Sequence, residues 1–303
     1  MRVVVAGGSG LIGRKLIEEL LRAQHEVVVL SRKPENVRKI FPAVRAEFWD
    51  AKSFDGLTSV LDGADAIINL IGESIGAKRW TRTQKRRILS SRIVSTQAIV
   101  AAIKQTQRKP SVLLNASAVG YYGNAPEGEL TEANPRGTGF LADVCARWET
   151  EALKVREFDM RVVMLRSGVV LDKNGGVLQK LLIPFRFFVG GPMGTGKQWF
   201  PWIHLQDEVN VILFAMENEQ IAGPLNLSAP ESVRMLEFCR ELGKILHRPS
   251  WMRVPGFVLK CVLGEMAQPL LLHSQKIIPQ KLVDAGFKFQ FPKLEDALRN
   301  LLS

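Results

Sequence analysis

The stretch Val3 to Gly13, VVVAGGSGLIG, constrains what this chain can fold into. Apolar, β-branched residues run directly into Gly7, Gly8 and Gly10, and beyond Gly13 the residues Leu16, Ile17, Leu20 and Leu21 recur at helical spacing. The stretch reads as a strand, a glycine-rich turn and the start of an amphipathic helix. In the GxxGxxG spacing of Gly7, Gly10 and Gly13, the first glycine permits a tight turn and the second lets backbone approach a pyrophosphate. The third lets helix and strand pack closely. The helix start then offers unpaired N–H groups and the positive end of its dipole to phosphate. Three glycines also occur in ordinary turns, and it is the strand before and the helix after that favour a dinucleotide site.

A chain of 303 residues can bury a sizeable core in one large or two modest domains. Cys145, Cys239 and Cys261 are odd in number, widely spaced and match no metal-ligand pattern, so a reducing compartment and no metal are expected. No signal-peptide pattern precedes the first strand, and Val254 to Leu272 is broken by Lys260, Glu265, Gln268 and prolines. A cytoplasmic location without a membrane partner is the expectation. The net charge of +11 suits a phosphate-rich cofactor as well as it suits nucleic acid.

Further along, Glu26 to Leu30 (EVVVL) is an apolar run fit for a parallel strand buried on both faces. Ser31, Arg32 and Lys33 follow it, where dinucleotide folds place an acid against a ribose 2′-OH or a basic residue against a 2′-phosphate. With no acid present, Ser31 and Arg32 favour NADP(H) over NAD(H), a solvated basic turn being the alternative. A third strand, Ala46 to Trp49, ends at Asp50, whose carboxylate either meets an adenine amino group or starts the next turn. A fourth, Asp65 to Ile71, stops at Gly72, which makes Asn69, Leu70, Ile71 and Gly72 contact candidates, mostly through main chain.

Between Lys78 and Arg92 there are seven basic residues and no acid, with Thr81 and Gln84 at capping-box spacing before a long helix. No nucleic-acid reading module or set of stacking aromatics accompanies them, so a solvated helix face is expected, with Arg92 placed near cofactor phosphate. Ser111 to Ala116 is a fifth strand, and the turn after it carries Ser117, Tyr121 and Tyr122. A helix from about Gly139 to Glu157 and a sixth strand, Arg161 to Leu165, complete a doubly wound parallel sheet. The cofactor candidates are Gly7, Ser9, Gly10, Leu11, Ile12, Gly13, Ser31, Arg32, Asp50, Leu70, Ile71, Gly72, Arg92 and Ala116, together with Ser167 and Val170 of the LRSGVVL stretch.

Gly191, Gly196 and Lys197 have P-loop spacing, but Gln198 replaces the Ser or Thr that binds Mg²⁺ and Trp199 to Trp202 follow where a helix should start. A loop over the substrate pocket is expected instead. His204 and Asp207 form a possible acid/base pair, a structural histidine being favoured. From about Ser228 the pattern is helical, with Met235, Phe238, Cys239, Leu242 and Leu246 on one stripe and Leu294, Ala297, Leu298 and Leu301 on another. The expected division is residues 1–229 as the Rossmann-type domain, with 170–202 contributing to the substrate side, and 230–303 as a small, mainly helical segment lidding the cleft.

VAGGSGLIG, LSRKP, INLIGE, SSR, SAVGYYG, WE, LRSGVVL and PFRFFVGGPMGTGKQWFPWIH, with QKIIPQKL and GFKFQFP near the end, together resemble the extended short-chain dehydrogenase/reductases. The match is closest to the atypical subfamily labelled epimerase family protein, sugar-nucleotide epimerase or cell-division inhibitor. The resemblance implies a Rossmann α/β fold, NADP(H) as cofactor and a small-molecule substrate. Most members of that superfamily transfer a proton through a tyrosine and a lysine four residues later on one helix face. Here the tyrosines are Tyr121 and Tyr122 alone, followed four residues on by Ala125 and Pro126, so YxxxK is absent. On the helix in question the equivalent pair is Phe140 and Val144, without an ionisable proton. Ser117 with Tyr121 or Tyr122 remains as the candidate set for polarising or protonating a carbonyl. The two functional expectations are an NADP(H)-dependent oxidoreductase or epimerase-like enzyme and a non-catalytic NADP(H)-binding regulator.

Overall fold

A computed structural model describes residues 1–303. The first half alternates strand and helix: β1 (Arg2–Ala6), α1 (Leu11–Arg22), β2 (Glu26–Ser31), α2 (Pro34–Ile40), β3 (Arg45–Phe48), α3 (Leu57–Leu61), β4 (Ala66–Asn69), α4 (Arg82–Gln105), β5 (Val112–Ala118), β6 (Ala125–Leu130), α5 (Phe140–Leu153) and β7 (Arg161–Ser167). There follow β8 (Val169–Asp172), α6 (Gly176–Arg186), β9 (Trp199–Phe200), β10 (Trp202–His204), α7 (Leu205–Glu217) and β11 (Gly223–Leu227). The remainder holds β12 (Val233–Arg234), α8 (Met235–Leu246), α9 (Gly256–Leu263), β13 (Gln275–Ile277), α10 (Gln280–Asp284) and α11 (Leu294–Leu302).

Seven of these strands form one parallel sheet in the order β11-β7-β5-β4-β1-β2-β3. Helices cover both faces, which is why β1, β2, β4 and β7 are near-continuous Val, Ile and Leu. On one face Leu16, Ile17 and Leu20 of α1 pack with Val209, Ile212 and Ala215 of α7. On the other, Ala98, Ile99 and Ile103 of α4 pack with Ala152 of α5 over Val4, Ile67 and Leu113. Strand order reverses between β1 and β4, so the crevice beyond their carboxyl ends is where a ligand would enter such a sheet.

A third core joins distant parts of the sequence: Leu171, Leu178, Leu182, Phe185 and Trp202 pack against Phe238, Leu242, Leu298 and Leu301. The β8–α6 region therefore folds with the C-terminal segment. Two short strand pairs reinforce the junction, β9 with β12 and β13 with β6, so the C-terminal segment is not purely helical.

The sequence pattern missed β11, the seventh strand. GPLNL carries a glycine, a proline and an asparagine, all weak strand formers, yet Leu225 and Leu227 are fully buried beside β7. The helix expected to reach Glu157 ends at Leu153, where the chain tightens into a 3-10 turn closed by Asp159 in the left-handed region (φ 57°).

Candidate functional site

At the glycine turn each glycine has its own reason. Gly7 has φ +91°, and a Cβ there would lie 2.9 Å from the carbonyl carbon of Leu70. A Cβ on Gly13 would lie 2.5 Å from the Gly7 oxygen, so helix and strand meet as the spacing requires. At Gly10 a Cβ would find nothing nearer than the Gly7 oxygen at 3.4 Å, so its exposed face is open space. The helix that starts here has no side-chain cap and no acid in its first turn. The N–H groups of Leu11 and Ile12 have no intrahelical acceptor, and a diphosphate fits this cradle in shape and in charge.

Beyond β2, the Ser31 hydroxyl accepts the Lys33 N–H at 3.1 Å and shapes the turn, while Arg32 is exposed and forms no ion pair. The Asp50 carboxylate accepts from the N–H groups of Ser53 and Lys52 at 2.9 and 2.8 Å, and these bonds hold it below the usual carboxylate range. Of the two readings left open for Asp50, its Oδ1 serves the turn.

Leu70 and Ile71 are half-buried and Gly72 is exposed at the end of β4, beside Gly7. Asn69 turns inward instead: its amide donates to Asn115 at 2.7 Å and to Thr96 at 3.1 Å, and the Thr96 hydroxyl accepts the Trp148 indole N–H at 3.0 Å. Arg92 reaches back beneath Gly72. It donates to the carbonyls of Glu73 and Ile88 at 3.1 and 2.9 Å, with its guanidinium 5.0 Å from the Trp148 ring centre. Elsewhere in the basic stretch, Thr81 caps α4 by accepting the Gln84 N–H, and Arg79 and Lys85 tie the helix to Cys261 and Glu265.

The densest polar chemistry lies after β5. Ser117 is buried and its hydroxyl donates to Glu149 at 2.6 Å. Glu149, on α5, is held by both Nε and Nη2 of Arg166, each at 2.9 Å, a two-point ion pair whose side chains are 7% and 4% exposed. Arg166 also donates to the Tyr122 hydroxyl at 2.9 Å, and Tyr122 in turn donates to Asn226 at 2.7 Å. Burial pushes the Tyr122 phenol up to about 12. Tyr121 differs: half-buried, with the Arg166 guanidinium 3.5 Å from its ring centre, it makes no hydrogen bond through its hydroxyl within the chain.

Three members of this cluster escaped sequence reasoning. Glu149 and Arg166 appear in the sequence only as WE and LRSG, without a spacing that links them, and they meet because β5 and β7 are adjacent under α5. Asn226, on the unforeseen β11, completes the chain by donating to the carbonyls of Leu130 and Ile278 at 3.3 and 3.0 Å.

At the end of β7 the Ser167 hydroxyl donates to Glu208 at 2.5 Å. Glu208 lies fully inside the first turn of α7; its other oxygen has no partner, and burial pushes it up to about 8. Val170 packs on the main core with Leu11, and Ala116 faces Leu165 across the β5–β7 ladder. His204 and Asp207 are apart in role. The His204 ring accepts the Gln206 N–H at 2.9 Å as the N-cap of α7, whereas Asp207 accepts the N–H groups of Gln290 and Phe291 at 2.7 and 2.8 Å. The Gly191 to Lys197 segment leads into the strand Trp199–Phe200, with no helix to receive a phosphate.

Comparison with known proteins agrees with this architecture. Residues 3–227 match the NAD dependent epimerase/dehydratase family, and residues 254–301 match a domain of unknown function, DUF1731. The chain is 40% identical to the chloroplastic epimerase family protein SDR39U1 homolog of Arabidopsis thaliana, over 100% of this chain and 87% of that protein. It is 37% identical to the epimerase family protein YfhF of Bacillus subtilis, covering 100% and 98% of the two chains. The crystal structure of human epimerase family protein SDR39U1 with NADPH superposes with a TM-score of 0.90 at 35% identity, over 99% of both chains. A UDP-glucuronic acid 4-epimerase from Bacillus cereus shares the fold at 18% identity and a TM-score of 0.78. With the glycine cradle at its switch point and these relatives along its whole length, this chain belongs to the NAD-dependent epimerase/dehydratase family, among the SDR39U1-like epimerase family proteins.

Proposed function

We propose that this chain is an NADP(H)-dependent oxidoreductase acting on a small molecule, with Tyr121 as its proton donor. The observation that carries the cofactor choice is Arg32: a free guanidinium past β2, where an acid would serve NAD(H). The human relative's crystal structure with NADPH supports the same choice. The N–H groups of Leu11 and Ile12 would hold the pyrophosphate over Gly10, and Arg32 with Ser31 the 2′-phosphate. Leu70, Ile71, Gly72, Ala116, Ser167 and Val170 would border the remainder of the cofactor from the strand ends.

When bound, the cofactor supplies a hydride. The chain's own contribution is the proton and its placement. Tyr122 has given its proton to Asn226 and its lone pair to Arg166, which leaves Tyr121 as the phenol able to hand a proton to a developing alkoxide oxygen. Ser117, its proton directed at Glu149, offers a lone pair and so accepts from a substrate hydroxyl rather than donating to a carbonyl.

Titration with both cofactors and assay against a panel of carbonyl compounds test the two halves separately. Arg32→Asp is expected to weaken NADPH about 10- to 100-fold and NADH far less, and equal loss of both would overturn the 2′-phosphate assignment. Tyr121→Phe is expected to cut turnover about 100-fold with NADPH binding intact. Unchanged turnover would remove Tyr121 from the mechanism. Phe140 and Val144 in place of the usual pair favour a second reading, a non-catalytic NADP(H)-binding regulator. Tight NADPH binding with no oxidation across the panel would select it.

A further inference from the structure

Large apolar side chains stand in solvent along one side of the third core. Ile183 and Phe187 lie one helical turn apart at the end of α6, 52% and 73% exposed, and Phe188 follows at 53%. Trp251, 65% exposed, is fixed beside them: its indole N–H donates to the Phe188 carbonyl at 3.0 Å and its backbone N–H to Gly190 at 3.1 Å. From Trp251 the chain runs extended beside the Gly191 to Met193 segment, and side chains alternate between its two faces. Met252 and Val254 are half-buried, whereas Trp251 and Arg253 stand out on the other face, and α9 continues that exposure with Phe257 and Lys260. Single exposed apolar residues are ordinary, but several large ones gathered along one side form a ridge that marks a contact surface.

The charge on this ridge has one sign. Lys173 to Gln206 and Leu242 to Gly264 contain no Asp or Glu, and Arg186, Arg248, Arg253 and Lys260 stand among the aromatics. The Arg248 guanidinium lies 4.5 Å from the Phe188 ring centre. Bordering acids are already engaged: Glu241 and Glu295 with Lys244, and Glu265 with Lys85. Two copies of this chain placed ridge to ridge would oppose the same cations with no acid between them. Nucleic acid would use the cations and the aromatic faces, but would leave the aliphatic Ile183 and Val262 in water.

We propose that this ridge docks the protein on an anionic phospholipid surface, cations at the phosphates and aromatic side chains at the acyl boundary. Interfacial binding of this kind combines buried apolar area with attraction to anionic headgroups. It departs from the expectation of no membrane partner, which rested on the lack of a spanning segment and not on an acid-free face that only the fold gathers. The docking reading stands apart from the cofactor site and does not depend on turnover.

Flotation of the full-length protein with vesicles tests it, using phosphatidylcholine alone and phosphatidylcholine mixed with phosphatidylglycerol. Binding is expected to the mixed vesicles only, and to weaken as salt is raised. Arg248→Ala and Arg253→Ala should each lower the partition about fivefold, and Phe187→Ser or Trp251→Ser about tenfold. All four positions are exposed, so unchanged NADPH affinity and thermal unfolding identify the variants as folded. No binding to mixed vesicles, equal binding to both compositions, or wild-type flotation by the folded variants would overturn the proposal. So would concentration-dependent dimerisation abolished by Phe187→Ser without vesicle binding, which assigns the ridge to a second copy, or capture of single-stranded DNA in place of vesicles.

Discussion

Removing Arg166 while keeping Glu149 is expected to cost more stability than removing both. In the folded chain the Glu149 side chain is 7% exposed and its carboxylate receives two Arg166 N–H groups at 2.9 Å and the Ser117 hydroxyl at 2.6 Å. Arg166→Met leaves that carboxylate buried with the serine as its one donor, a loss of about 3–5 kcal/mol. Glu149→Leu alone strands the guanidinium, at comparable cost. Replacing the pair together by Met and Leu removes both charges and fills much of the same volume, so the double variant should be less destabilised than either single one. Urea unfolding of the four proteins, followed by tryptophan fluorescence, closes the cycle and gives the coupling free energy. A double variant destabilised by the sum of the two singles would show that the pair is not a coupled, desolvated unit, and the account of this cluster would fail.

The glycine turn separates folding from binding. Gly13→Ala presses a methyl against the Gly7 and Gly8 backbone at 2.5 and 2.7 Å and should cost roughly 1–3 kcal/mol or more in thermal or urea unfolding. Gly10→Ala meets only the Gly7 oxygen at 3.4 Å, so it should leave unfolding unchanged while weakening NADPH in a direct titration. Glu208, raised to about 8 from 4.5, contributes stability below its unfolded value that is lost as pH climbs from about 4.5 to about 8. Glu208→Gln should therefore flatten that limb of a stability–pH curve and raise stability at alkaline pH. Burial lowers His204 to about 4 from 6.5, so its contribution is present above 6.5 and fades as pH falls from 6.5 toward 4. His204→Asn, which keeps an N-cap acceptor, should remove the acid limb in the same measurement.

Much of the nucleotide half is legible in the sequence because its determinants are local. The Gly7, Gly10 and Gly13 spacing, the apolar runs of β1, β2 and β4 and the Thr81 cap each act within a few residues. The strand Gly223–Leu227 was not legible, since Leu225 and Leu227 owe their place to β7 rather than to propensity. The same holds for the polar cluster. Ser117, Tyr122, Glu149, Arg166 and Asn226 come from five separate elements, and no pattern in one dimension announces that they share a hydrogen-bonded chain. His204 and Asp207 show the converse: two residues spaced like an acid/base pair, one used as a helix cap and the other to fasten the Gln290–Phe291 backbone.

The hydrogen-bonded chain through Arg166 fixes where protons can travel. Each link in it has a direction: Ser117 toward Glu149, Arg166 toward Glu149 and Tyr122, Tyr122 toward Asn226, and Asn226 toward the carbonyls of Leu130 and Ile278. It ends on backbone acceptors at one side and on a carboxylate held by a guanidinium at the other, so it conducts no proton from the interior to the cleft. A phenol working at Tyr121, whose hydroxyl has no partner within the chain, would be reloaded by water from the substrate side. Proton supply and substrate entry then share one doorway, and whatever closes over the substrate also interrupts the refill until product leaves.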